Sequence, residues 1–504
     1  MPMHDPALPI GGPARRFLPD DPSLEWLKRR AKQLRDAHAA GNEAALGLVA
    51  TYDPGDGAVT LGRSQRVIAR AFGFAGWSKL REHLATIESL TRAMDAESDD
   101  DGPVNRFLRL ACLSYSEPAV AAKARAILAD ELGIDGASVY TLAASCQAEK
   151  LAELLASDPA VATREGGPHR WPPLLYLCFS RLDLGDAVAS MRILLDAGAD
   201  PNSGFLWKGL TSPFTALTGV LGGGERGEPM HPKGLALAEL LLDSGADPND
   251  NQAFYNRMFL PDDEHLGPLL SHGAGRPHDS PWRDRLGAAY PSAEEMVGEH
   301  LRSAAEKGFT GRVRRLLEHG VDPNTIGYHP ILSDATAYEM AVCNGHWEAA
   351  ALLEEAGGHS DRLDRADLRL SAVLSGTVPL PDGVGDLPGV RPDAMRLAAE
   401  QHGIDALERL IAVGFDVSAR GQHHTTALHE AAFRGDGAMA RWLIAQGADR
   451  SAQDDRFDST PSGWAAHKGH SELAEELAPE ADSVPPLATE QAVEFPARRP
   501  GAPT

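Results

Sequence analysis

The stretch LLDAGADPN at residues 194–202 decides the fold, because it returns along the chain. Close copies stand at 240–250 (LLLDSGADPND), 316–324 (LLEHGVDPN), 410–418 (LIAVGFDVS) and 443–451 (LIAQGADRS). Weaker ones stand at 154–162 (LLASDPAVA), 269–275 (LLSHGAG) and 352–358 (LLEEAGG). Each reads as the end of an amphipathic helix whose apolar pair faces a neighbour and whose Gly takes the left-handed conformation that closes the helix. The chain then turns, because Pro201, Pro248 and Pro323 cannot extend a helix and the adjacent Asn favours a tight turn. Gly414 and Gly447 are 33 residues apart, Gly320 and Gly357 are 37 apart, and Gly198 and Gly245 are 47 apart. The longer intervals imply insertions, such as LGGGERGEPMHPKG at 221–234.

A second signal lies between these copies. TAYEMAVCNGH at 336–346, TALHEAAFRGD at 426–436 and TPSGWAAHKGH at 460–470 each begin with a Thr able to cap a helix and end with Gly-His or Gly-Asp, which breaks it. The alanines between allow close helix approach. One repeat is therefore turn, helix, break, helix.

These residues resemble the ankyrin repeat family, whose motif runs roughly G-x-T-P-L-H-x-A-A-x-x-G-H before a helix ending L-L-x-x-G-A-D-x-N. The resemblance spans about 104–480. It is strongest at 405–478, where Thr426, Leu428, His429, Ala431, Ala432 and Gly435 match position by position, partial at 190–358, and weak before 190 and across 359–391. Ala427 replaces the motif proline and Gly463 its histidine, which leaves repeat boundaries open. The resemblance implies an all-α solenoid of about nine or ten helix pairs, several degenerate, with a concave face that binds protein partners.

The remainder of the chain divides around that array. Residues 1–19 read as a disordered leader and 20–92 as a helical module, built from PSLEWLKRRAKQLRDAHAAGN at 22–42 and RSQRVIARAFGFAGWSKLREHLATIESL at 63–90. This pairing is similar to the helical segment that precedes ankyrin repeats in bacterial proteins. An acidic linker occupies 93–103, and 481–504, rich in Pro, Ala and acidic residues, reads as a disordered tail.

Composition bounds the function. A hydrophobic share of 43% and a charged share of 24% in 504 residues describe a folded chain. The formal charge is −24, yet residues 1–90 hold 12 Lys and Arg against 10 Asp and Glu, leaving 36 against 62 for the rest. A phosphate backbone is repelled by the array, so nucleic acid is a candidate partner only for the first module. Lys28, Arg29, Arg30, Lys32 and Arg35 crowd one helix there, and 63–84 has the outline of a helix-turn-helix around Gly73 and Gly76, although Asp36, Glu82 and Glu88 dilute its field. Without a basic start followed by an apolar run, and without a stretch of about 20 apolar residues, neither export nor membrane spanning is expected. Cys112, Cys146, Cys178 and Cys343 lack metal-ligand spacing and read as reduced buried residues of a cytoplasmic protein.

Candidate chemistry has plainer readings. His423, His424 and His429 cluster, but no Cys or carboxylate completes a metal site, and His429 occupies the motif position that bonds within or between repeats. Asp454 with Asp455, and Asp262, Asp263 with Glu264, are neighbours whose side chains point apart. Gly222, Gly223 and Gly224 lack the Lys-Ser or Lys-Thr of a phosphate loop. The expectation is no catalytic residue, no cofactor and no metal. Function then belongs to exposed turn residues, and the candidates for partner binding are Phe205, Trp207, Phe254, Tyr255, Arg420, His423, Arg456 and Phe457, since aromatic and Arg side chains anchor interfaces. Two alternatives remain: a DNA-binding regulator reading through 20–92, and an enzyme with a site on the insertions at 203–234 or 250–300.

Overall fold

The computed structural model describes residues 18, 23–92, 102–115, 120–133, 137–327, 335–376 and 387–478. Apart from Leu18, Gly102 and Pro103, the segments 1–19 and 93–103 lie outside the described residues, as does 481–504. The chain forms two compact units divided between Val297 and Gly298, within the helix Ala293–Glu306.

The repeated stretch folds as its residues dictate. Gly198 and Gly414 sit at φ 92° and 102°, where a Cβ is strained. The residue after each such Gly returns its N–H to the first leucine of the pair: Ala199 to Leu194 at 3.0 Å, Phe415 to Leu410 at 3.0 Å, Ala448 to Leu443 at 3.0 Å. These bonds satisfy carbonyls that a helix end leaves unpaired. The aspartate two residues beyond the Gly then accepts an N–H from two residues ahead, Asp200 from Asn202 at 2.8 Å and Asp322 from Asn324 at 2.9 Å, which makes the tight turn.

In the first unit the helices Leu24–Ala39, Glu43–Tyr52, Leu61–Ala71 and Trp77–Leu90 close over a core of Leu27, Ala31, Leu34, Val67, Ile68 and Leu80. Arg63 is 9% exposed and ties the 53–57 loop, donating to the Asp53 and Gly55 carbonyls at 2.8 and 2.7 Å. Helix pairs follow: Val139–Ala144 with Ala148–Ser157, Pro173–Phe179 with Ala187–Asp196, Ala216–Leu221 with Gly234–Asp243, and Asn251–Arg257 with Leu266–Ser271.

Among its described residues this otherwise helical unit contains one small sheet. Gly204–Trp207 pairs antiparallel with Phe214–Thr215 and parallel with Thr91–Arg92. Trp171, Phe205 and Phe214 stack there, with centroids 5.1 and 5.6 Å apart. The aromatics of the insertion at 203–215 thus pack onto Trp171 and Phe179 of the preceding repeat.

In the second unit Thr310–Glu318, Ala337–Cys343 and Trp347–Glu355 lead to the pairs Ala394–Gln401 with Ile404–Ala412, Ala427–Arg434 with Gly437–Ala445, and Pro461–His467 with Ser471–Leu477. An additional helix, Arg365–Ser375, packs on both Ala337–Cys343 and Ile404–Ala412. Arg409 completes its end by donating to the Val373 and Leu374 carbonyls at 2.7 and 2.6 Å. Alanines 398, 399, 431, 432 and 465 are buried, and the first helices of successive repeats pack through them. Each repeat therefore buries its apolar face only against its neighbours. The fold is all-α in its repeats, as the periodicity predicts. Among the described residues no helix is long and apolar enough to cross a membrane.

Candidate functional site

The exposed edge of the last two repeats is built from the helix starts outward. Thr426 caps Ala427–Arg434 by accepting the His429 N–H at 3.4 Å, while His429 Nδ1 accepts the Thr426 N–H at 3.2 Å. The ring is fully buried, and burial lowers its pKa, so it is neutral at physiological pH. With Nδ1 an acceptor, Nε2 carries the proton and donates to the Ser459 carbonyl, 3.2 Å away. The motif histidine therefore bonds one repeat to the turn of the next.

That turn is organised by Asp454, which is 2% exposed. Its carboxylate accepts the N–H groups of Arg456, Phe457 and Ser459 at 2.9, 2.7 and 3.2 Å, and the Trp464 indole N–H at 2.9 Å. Asp455 points the other way, donating its N–H to the His423 carbonyl at 3.0 Å and placing Oδ1 3.3 Å from His423 Nδ1. His423 and His424 both sit at φ 55° and Asp458 at 52°, a left-handed backbone that costs a non-glycine residue on the order of 1 kcal/mol. The contacts to Asp455 and Asp454 hold it there.

Thr460 differs from its counterparts. It occupies the cap position but its hydroxyl accepts no helix N–H, and the Ser459 hydroxyl fills the space above Gly463, where an added Cβ would collide with Ser459 Oγ. Without a histidine at 463, Trp464 makes the bond to the turn instead.

The result is a ladder of half-exposed rings. Phe457, Trp464 and Phe433 follow one another with centroids 6.3 and 5.7 Å apart, each pair edge-on. The Arg456 guanidinium lies 5.1 Å over Phe457 at one end and the Lys468 ammonium 4.2 Å over Phe433 at the other. Arg420 and Arg434 are exposed nearby in sequence, and Arg420 is close enough to Asp449 and His429 to bias both electrostatically. Asp449 itself is held below the usual carboxylate range chiefly by the Ser451 hydroxyl.

Of the residues expected to bind a partner, Arg420, His423 and Arg456 are exposed and Phe457 is half-buried on this edge. The other four lie in the first unit. Phe205 is 2% exposed and Phe254 3%, so both are withdrawn from solvent: Phe205 lies between Trp171 and Phe214, and Phe254 is on the buried face of Asn251–Arg257. Trp207 is half-buried beneath Lys208, whose ammonium lies 4.9 Å over its ring. Tyr255 donates to Glu225 at 3.1 Å across the insertion. Aromatics of the insertion bury themselves against the repeat that precedes it, because apolar area is removed from water wherever a neighbouring core is within reach. Trp464 and Phe433 escape a reading of the turns because they lie on helices, and Lys468 because it sits at a helix end rather than in the repeat turn.

The remaining candidates are arranged as follows. Asp262 pairs with Arg257, and Gly222–Gly224 form a turn in which the Gly223 and Gly224 N–H groups donate to Glu228 and Asn256 carbonyls at 2.8 and 2.7 Å. Cys112, Cys146 and Cys178 are buried and Cys343 is half-buried; all four are free thiols. Among the described residues no group of three His, Cys, Asp or Glu side chains is placed to hold a metal. On the first helices, Lys28 pairs with Glu25, Arg35 with Asp36, and Arg66 and Arg70 with Asp53, while Arg30 is buried over Trp26.

The family model for ankyrin repeats (3 copies) matches residues 395–485. No match was found among curated proteins. The matched segment contains the Thr426-capped helix, the His429 bridge and the Gly-closed outer helices described above, and this part of the chain is built of ankyrin repeats.

Proposed function

We propose that this chain is a non-enzymatic scaffold that holds a protein partner on the turns and first helices of its last repeats. Ankyrin repeats generally mediate protein–protein interaction, and residues 395–485 are such repeats. The observation that carries the reading is the ring ladder of Phe457, Trp464 and Phe433, left half-exposed on a rigid edge beside Arg456. Aromatic and Arg side chains are the residues that dominate interface energetics, and a fixed turn loses little entropy on binding. Four free cysteines fit a reducing, cytoplasmic setting.

The test is affinity purification with the tagged full-length chain beside a variant carrying Arg420→Glu, Arg456→Glu and Phe457→Ala. Proteins retained by the natural sequence and lost with the variant, but kept after nuclease treatment, are expected. A retained set indifferent to the three substitutions would sink the assignment of this edge, and a set lost on nuclease treatment would move the function to nucleic acid.

A further inference from the structure

We infer that the ring ladder of the last two repeats receives an extended acidic peptide, with apolar side chains at alternate positions and carboxylates flanking them. The inference rests on the scaffold reading and adds the chemistry of the partner.

Spacing supports the extended form. Successive residues of a strand advance about 3.3 Å, so side chains on one face recur every ~6.6 Å. The rings of Phe457, Trp464 and Phe433 are 6.3 and 5.7 Å apart, close to that step. A helix presents side chains about 5–6 Å apart as well, but a peptide of about seven residues is too short to hold a helix in water and therefore reads the extended form.

Charge selects the acidic class. The ladder ends in a cation at both sides, Arg456 over Phe457 and Lys468 over Phe433, and two more are exposed, Arg434 next to Phe433 in the chain and Arg420 near His429. Most carboxylates on this edge are committed. Asp454 is buried under four donors, Asp455 faces His423, and the Glu430 side chain is 13% exposed with its carboxylate 3.9 Å from Arg396. Asp458, next to Phe457 in the chain, and Asp449, near Arg420, are exposed, and the two are outnumbered by the four cations. A peptide carboxylate placed over each end meets a guanidinium or ammonium already positioned by its ring. Stacked nucleobases need parallel ring faces, whereas these rings stand edge-on to one another at 66° and 67°.

The experiment is fluorescence anisotropy of the full-length chain with a labelled peptide, Asp-Asp-Phe-Asp-Phe-Asp-Asp. Three controls run beside it: the same peptide with Ser for Phe, a version with Lys for Asp, and an oligothymidylate. Binding of the acidic aromatic peptide is expected, weakened by rising salt and by at least tenfold with either control peptide. It should weaken at least tenfold in the double variant Arg456→Glu with Lys468→Glu, whose exposed side chains can change without unfolding the repeat, and also in Phe457→Ala. Absence of binding, equal binding by the Lys peptide, tighter binding of the oligonucleotide, or indifference to the double variant overturns the inference. If purification still yields partners lost on changing Arg420, Arg456 and Phe457 while the acidic peptide does not bind, the edge stands as a docking site and only the acidic class falls.

Discussion

Asn202 donates from its side-chain amide to the Gly245 carbonyl at 2.9 Å and accepts the Asp247 N–H at 2.8 Å, joining turns 43 residues apart. Asn249 repeats the pattern with Arg276 and Gly275 at 3.1 and 2.8 Å, and Asn324 with Gly357 and His359 at 3.1 Å each. The Asp of Asp-Pro-Asn shapes its own turn, and the Asn ties that turn to the next. The tripeptide is thus both a local and a tertiary device.

Asn324→Ala removes both bonds and should lower stability by about 1–2 kcal/mol. Asn324→Asp keeps an acceptor for the His359 N–H but sets a carboxylate against the Gly357 carbonyl, and should do no better. Urea unfolding measures both; an unchanged midpoint for the alanine variant would remove the bridge from the account.

His346 and His402 stack with centroids 4.9 Å apart in the second unit, and burial lowers the pKa of both. His346 Nε2 faces the Glu306 carbonyl and Gln401, and His402 Nε2 the Asn344 carbonyl, while Arg409 disfavours a charge on His402. As pH falls, the unfolded chain takes up protons near the ordinary value of 6.5, before the folded chain does. The stability tied to these groups is therefore complete above pH 6.5 and is lost as pH falls below it. His402→Gln should flatten that acid-side loss in thermal melts taken across about pH 5–8; an identical slope would refute the prediction.

Asp250 runs the opposite way. It is buried, accepts N–H from Ala253 at 2.9 Å and hydroxyls from Thr215 and Thr218, and its pKa is pushed up to about 6 from 3.8, chiefly by burial. The folded chain holds this proton longer than the unfolded one, so the contribution is present below pH 3.8 and is lost as pH rises through about 6. A rise from 3.8 to about 6 is equivalent to roughly 3 kcal/mol, which bounds the gain in stability expected from Asp250→Asn at about pH 8. Denaturation at about pH 8 and about pH 4 checks it: a variant less stable at both would show that the charged form is favoured.

Two glycines separate strain from collision. Gly414 has φ 102° with open space around an added Cβ, so Gly414→Ala should cost about 1 kcal/mol from backbone strain alone. Gly435 has φ 70°, and an added Cβ would lie 2.6 Å from the His470 ring. Gly435→Ala should cost clearly more, because the ring must also move. Equal losses in calorimetry would count against the distinction.

The parts of the fold legible in the sequence are those where one residue type answers one local demand. Gly198 and Gly414 mark helix ends, Thr336 and Thr426 mark starts, and Asp-Pro-Asn marks turns, because left-handed φ, an unpaired N–H and a missing donor are met within a few residues. The candidate edge is partly legible for the same reason: Arg420, His423, Arg456 and Phe457 lie in turns, and turns face solvent. Phe205 and Phe254 are misread as exposed because an aromatic in an insertion carries no mark of which side it faces.

What the sequence by itself determined is the repeat: helix ends, caps, turns and the alanine face that lets one helix pair lie against the next. These are short-range constraints. The tertiary structure alone decided which side chains meet across repeats, such as Asn202 with Gly245, His429 with Ser459, and Phe433 with Trp464 and Phe457. Such contacts depend on the registry of neighbouring repeats, which insertions of varying length shift, and no residue encodes that registry on its own.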